Sequence, residues 1–145
     1  DLDIDSLPSY NKKTGPVNMI RYAFHKKDWR EALDDTKIII KKGYQVYVQA
    51  MITLSYSDVE LLEMLTEVNK YDVYAMYIVD SFGAMFGDDF RRLHYLFENN
   101  LKKNTAIPHS TRLTRGDQVS DWAACRVAGY VADCVADCLS GMLAR

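Results

Sequence analysis

The chain has 145 residues, 48% of them hydrophobic and 26% charged, and a net charge of −2. That composition fits a folded domain with a real core and excludes a disordered or fibrous chain. With a pI near 5.9 and its 18 Lys and Arg dispersed among 20 acids, the sequence carries no basic footprint for nucleic acid.

The amino terminus DLDIDSLPSY has neither the basic start nor the apolar core of a secretory signal, and no apolar run approaches the roughly 18 residues of a membrane span. A cytoplasmic protein without a membrane partner is expected. Cys125, Cys134 and Cys138 form no CxxC pair and are odd in number, so they read as reduced, mostly buried residues rather than a disulfide framework or a zinc site.

Residues 1–18, with Pro8, Gly15 and Pro16, read as an irregular lead-in. MIRYAF (19–24) is a first strand, followed by a helix near 28–42 on which Trp29, Ala32, Leu33, Thr36 and Ile40 share a face. Asp28 with Glu31 makes a capping pair, and Gly43 ends the helix.

A second strand is expected near 45–53, then a helix near 58–70 opened by Ser57 and Glu60 at capping-box spacing. The third strand, near 73–80, runs into VDSFGAM with a turn at Gly83. The helix after it, near 88–101, directs Phe90, Leu93 and Phe97 inward, and a fourth strand is expected at 104–108. Strand-like runs separated by single helices predict an α/β fold of consecutive βα units with parallel strands. The strands are apolar at nearly every position, as in a sheet covered on both faces. Residues 112–145, rich in Ala and Cys, read as a divergent helical segment in which Trp122, Val127, Val131, Val135 and Leu139 recur near helical spacing.

In parallel α/β folds ligands bind beyond the carboxyl ends of the strands. There the sequence places His25 after the first strand, Thr53 and Ser55 after the second, Asp80 and Ser81 after the third, and His109 and Ser110 after the fourth. Each also has a plain structural use. Asp80 or Ser81 can cap the next helix, His25 can tie down a loop, and His94 lies within a helical run. A shared cavity holding Asp80 or Ser81 with His109 and Thr53 is the arrangement expected of a site.

In order, IRYAFHKKDW, QAMITLSYSD, YIVDSFGAMFGDDFRRL and IPHST resemble the middle of the HMG-CoA lyase-like, metal-dependent aldolases, above all the 4-hydroxy-2-oxovalerate aldolases, over residues 16–111. VDSFGAM is the most specific piece, similar to the Asp-Ser/Thr-x-Gly that follows the fifth barrel strand of that family. The resemblance implies a partial TIM-type (β/α)8 barrel, because 145 residues fall short of the roughly 250 of a whole one. It implies a lyase that makes or breaks a C–C bond next to a small 2-oxo acid, releasing pyruvate, with Mn²⁺ or Mg²⁺ polarising the substrate and stabilising the enolate. Asp80 and Ser81 then stand at catalytic positions, and His25, Thr53 and Ser55 line the substrate.

In that family the metal is held by an Asp after the first barrel strand and by a His-x-His after the sixth. His109 stands where the first His belongs, but Thr111 occupies the second position, and Arg112 and Leu113 replace the Asn residues expected next. Threonine is a poor substitute for imidazole on such an ion. The Asp-Arg segment of the first strand is absent, and the likeness fades after His109, as in a truncated or frame-shifted product. The expectation is therefore an incomplete, impaired lyase. The alternative is a non-catalytic barrel fragment serving as an interaction or assembly module. A partial barrel leaves strand edges and an inner face uncovered, which predicts a homo-oligomer or self-association.

Overall fold

The structure is a computed structural model that describes residues 4–11, 15 and 17–111. The helical expectation for 112–145 and the three cysteines lie outside these residues.

Four parallel strands, β1 (Met19–Phe24), β2 (Gln45–Ala50), β3 (Ala75–Asp80) and β4 (His109–Thr111), form one sheet in the order β1-β2-β3-β4. Three helices join them, α1 (Trp29–Lys41), α2 (Asp58–Val68) and α3 (Gly87–Asn100). The alternation expected of βα units is thus present. Its cause is visible in β3, where all six residues are buried: a strand closed on both faces and both edges tolerates only apolar side chains until Asp80.

Alternate strand residues Val46, Val48, Ala50, Met76 and Ile78 share a single core with the buried faces of all three helices. The helices therefore cover one face of the sheet. On the other face Arg21 donates to the Tyr77 hydroxyl at 2.9 Å, and Tyr47 packs near the rings of Tyr74 and Tyr77.

The helix ends show which local signals held. Ser57 and Glu60 form the capping box of α2, the Ser57 Oγ accepting the Glu60 N–H and the Glu60 carboxylate accepting the Ser57 N–H at 2.8 Å. Gly43, at φ 93°, closes α1 in a Schellman arrangement, its N–H donating to Ile40 and that of Tyr44 to Ile39. The Asp28–Glu31 pair does not cap α1. A 3-10 turn over Lys26–Asp28 feeds the helix instead, and Asp28 makes no side-chain cap bond. Ile39, rather than Ile40, is the fully buried residue of the last turn.

The lead-in is irregular but docked. Ile4 is buried, and the Lys42 ammonium, at the end of α1, donates to the carbonyls of Ile4, Asp5 and Leu7 at 2.6–2.9 Å.

The fourth strand lies later than 104–108. Pairing with β3 begins as a bridge at Ala106, then passes Pro108, whose ring nitrogen carries no hydrogen to donate, and the regular strand starts at His109. His109 therefore sits inside the strand, opposite Ile78, instead of beyond its carboxyl end.

Candidate functional site

At the carboxyl end of β3 the chain turns through Gly83, at φ 67°. Asp80, only 6% exposed, organises this turn by accepting the N–H of Ala84 at 3.0 Å on one carboxylate oxygen and that of Met85 at 3.1 Å on the other. It caps the loop and not the helix, since α3 begins at Gly87, where the Asp89 carboxylate reaches back to the Phe86 N–H.

Two bonds tie this loop to the end of β2. The Ser81 hydroxyl accepts the Ile52 N–H at 3.2 Å. Thr53, wholly buried, donates to the Ala50 carbonyl at 3.0 Å and accepts the Val79 N–H at 2.8 Å. Ladder pairing of β2 with β3 ends at Ala50 and Ile78, so the Thr53 hydroxyl stands in for the next ladder acceptor. Between them Ile52 occupies the left-handed region, φ 53° and ψ 58°, a conformation that a β-branched residue adopts only under strain.

Two cavities flank Ile52. The larger, about 680 Å³, opens at the carboxyl ends of β1 and β2 and is lined by His25, Lys26, Lys27, Arg30, Tyr56 and Glu60, among others. Lys26 spans it, its ammonium 2.7 Å from Glu60 and donating to the Ser55 carbonyl at 2.8 Å. The Lys26 ammonium, with the Ser57 N–H and hydroxyl, holds the Glu60 carboxyl down at about 2. Tyr56 is buried against the core, which pushes its hydroxyl up to about 12, with the Glu60 charge adding to the effect. That hydroxyl has no hydrogen-bond partner among the described residues. The smaller cavity, about 260 Å³, is mostly apolar, with Leu54, Val79, Phe82 and Ala84 beside Asp80 and Ser81. Ile52 and Ser55 belong to both.

The expected residues are thus partly gathered. His25 and Ser55 line the larger cavity, and Ser55, Asp80 and Ser81 the smaller. Thr53 lies beneath them as a clamp. His109 is not with them. Its ring meets Phe90 of α3 edge-on at 5.4 Å, on the helix-covered face, and burial, with the nearby His94, lowers its pKa below 6.5. His94 itself lies 3.8 Å from Glu98 and near Phe90, a structural placement. Thr111 pairs in register with Asp80.

Among the described residues no three His, Cys, Asp or Glu side chains gather where they could hold a metal ion. His109, the one metal ligand that the resemblance places among the described residues, faces Phe90 of α3 with no pair of His, Asp or Glu side chains gathered beside it, so the described residues do not fit the divalent ion that the resemblance implies. Sequence reading missed Lys26, Arg30, Tyr56 and Ile52. The first two carried a signal in the basic run directly after β1.

Fold and site together define a parallel α/β protein with its cavities at the carboxyl ends of the strands. No protein-family model and no curated protein matches the chain. Among the described residues no helix is long and apolar enough to cross a membrane.

Proposed function

We propose that this chain is part of a 2-oxo acid lyase of the metal-dependent aldolase type, a segment of a (β/α)8 barrel whose described residues shape the substrate end without themselves holding a metal. The observation that carries this reading is the sequential strand order with α1, α2 and α3, the α-helices among the described residues, on one face. Right-handed crossovers that always step in the same direction place all helices on one side and curl the sheet, whereas a doubly wound sheet reverses and carries helices on both sides. The tyrosine-rich face with Arg21 is then an inner wall, and the VDSFGAM loop lies where barrel enzymes bind substrate.

Aldol cleavage of a 4-hydroxy-2-oxo acid removes the hydroxyl proton, breaks the C3–C4 bond and leaves the electron pair on pyruvate as an enolate. The described residues provide walls for such an acid. They provide no metal site for the enolate, and Asp80, the one buried carboxylate among them, already accepts two amides.

The isolated chain is therefore expected to release no pyruvate from 4-hydroxy-2-oxovalerate with added Mn²⁺, while pyruvate itself shifts the amide resonances of Ile52, Ser55, Ser81 and Phe82. Absence of those shifts would sink the lyase reading. Turnover abolished by chelator and by His109→Ala would overturn the statement that these residues hold no metal.

A second reading, a non-catalytic assembly module, is favoured by the structural bonds that engage Asp80, Ser81 and Thr53. It draws on the outermost strand β1, whose Met19 is exposed, with exposed Val17 just before it. On that reading the chain self-associates, and sedimentation at low micromolar concentration showing a clean 16.7 kDa species would count against it.

A further inference from the structure

The two cavities differ in character and meet at Ile52 and Ser55. In the larger, three cationic side chains face one carboxylate among the lining residues. Lys26 is neutralised by Glu60, and Arg30 pairs with Glu63 of α2 while stacking on the Trp29 ring. Lys27 is exposed and forms no ion pair with another described residue, and His25 lies beside it in the lining. The surplus is thus close to one positive charge. The smaller cavity is mostly apolar: Leu54, Val79 and Ala84 form a wall, the Asp80 carboxylate and Ser81 hydroxyl beside it are engaged by the backbone N–H groups of Ala84, Met85 and Ile52, and Phe82, a large aromatic residue 70% exposed, also lines it.

Two further features mark the place. Strained non-glycine backbone persists where surrounding structure enforces it, and it gathers at ligand sites. Ile52 is the one such residue among those described, and it forms the ridge between the cavities. Tyr56 lines the larger cavity, and its hydroxyl, buried beneath the surface, has no hydrogen-bond partner among the described residues. A single charge beside an apolar slot matches a single class of ligand.

We propose that the two cavities form one binding site for an amphiphilic monocarboxylate, its carboxylate held at Lys27 and His25 and its alkyl chain laid over Ile52 into the slot under Phe82. This inference does not rest on the aldolase reading. Pyruvate offers a carboxylate without the chain, so affinity that rises with chain length bears on this inference alone, and pyruvate shifts without that rise bear on the aldolase reading.

The test is a calorimetric titration of the full chain with straight-chain acids from butanoate to octanoate, with octanol and octylamine as controls and amide shifts mapping the site. Affinity should rise roughly three- to fourfold per methylene, as expected for burying each CH₂. Shifts should fall on residues 51–55 and 81–84, and neither control should match octanoate. Lys27→Glu and Phe82→Asp, both at exposed positions, should each weaken octanoate at least tenfold with the fold retained by circular dichroism. No octanoate binding, affinity independent of chain length, equal binding of octanol, or indifference to both substitutions would overturn the proposal.

Discussion

Replacing Thr53 by Val separates a clamp from a substrate contact. Valine keeps the shape and removes the hydroxyl, leaving the Val79 N–H without its acceptor and the Ala50 carbonyl without one donor. An unsatisfied buried amide costs about 1–3 kcal/mol and the second lost bond about 0.5–1.5 kcal/mol. Because the two share one oxygen, a combined loss of about 2–4 kcal/mol is expected. For a chain of this length that lowers Tm by roughly 6–14 °C. Urea unfolding of Thr53→Val beside Thr53→Ser reads the difference, since Ser retains the hydroxyl and should stay within about 1 kcal/mol of the parent. If Thr53→Val unfolds within about 0.5 kcal/mol of the parent and instead loses affinity for pyruvate or octanoate, the clamp argument is wrong and Thr53 is a ligand contact.

Lys42→Met should release the lead-in by removing the donor shared by Ile4, Asp5 and Leu7, costing about 1–2 kcal/mol and speeding proteolysis ahead of Tyr10; unchanged cleavage would refute the tether. His109 should make stability pH-dependent in a defined direction. Its folded pKa is lowered below 6.5, so the unfolded chain binds more protons just below that value, and the contribution is intact above pH 6.5 and lost as pH falls through it. His109→Leu should flatten that slope in a series of melts, and an unchanged slope would assign it to another group.

Local chemistry made much of the fold legible. The Ser57–Glu60 box and the Gly43 stop are short-range signals, and both formed as the spacing requires. The inward set Phe90, Leu93 and Phe97 followed from helical periodicity and is buried. What failed depended on partners distant in sequence. Asp28 carries a capping residue's chemistry, yet the turn from β1 places a 3-10 segment there. The fourth strand lies later than its apolar run suggests, because only the pairing with β3 reveals that Pro108 accepts from Ile78 but has no N–H to give and that regular pairing starts at His109. Position after an apolar run makes His109 a candidate site residue, and only the resemblance makes it a metal ligand; once the strand extends to Thr111 its ring must choose a face, here the one beneath Phe90. The lead-in looked unstructured because its anchor, Lys42, lies more than thirty residues away.

Ile52 was invisible for a different reason: by propensity a β-branched residue is among the last expected in left-handed backbone. What holds it there is a complete set of bonds. Its N–H is taken by Ser81, and its carbonyl accepts both the Ser55 N–H at 2.9 Å and the Ser55 hydroxyl at 2.8 Å. The strain of order 1–3 kcal/mol for such a residue is set against these bonds and against the buried Thr53 hydrogen bonds that the sharp turn makes possible. A glycine would turn as well without strain, but it would remove the apolar side chain at a position that lines both cavities. Keeping isoleucine therefore lowers stability at one residue and preserves an apolar ridge between a charged cleft and an apolar slot. That trade makes physical sense where both sides contact the same ligand.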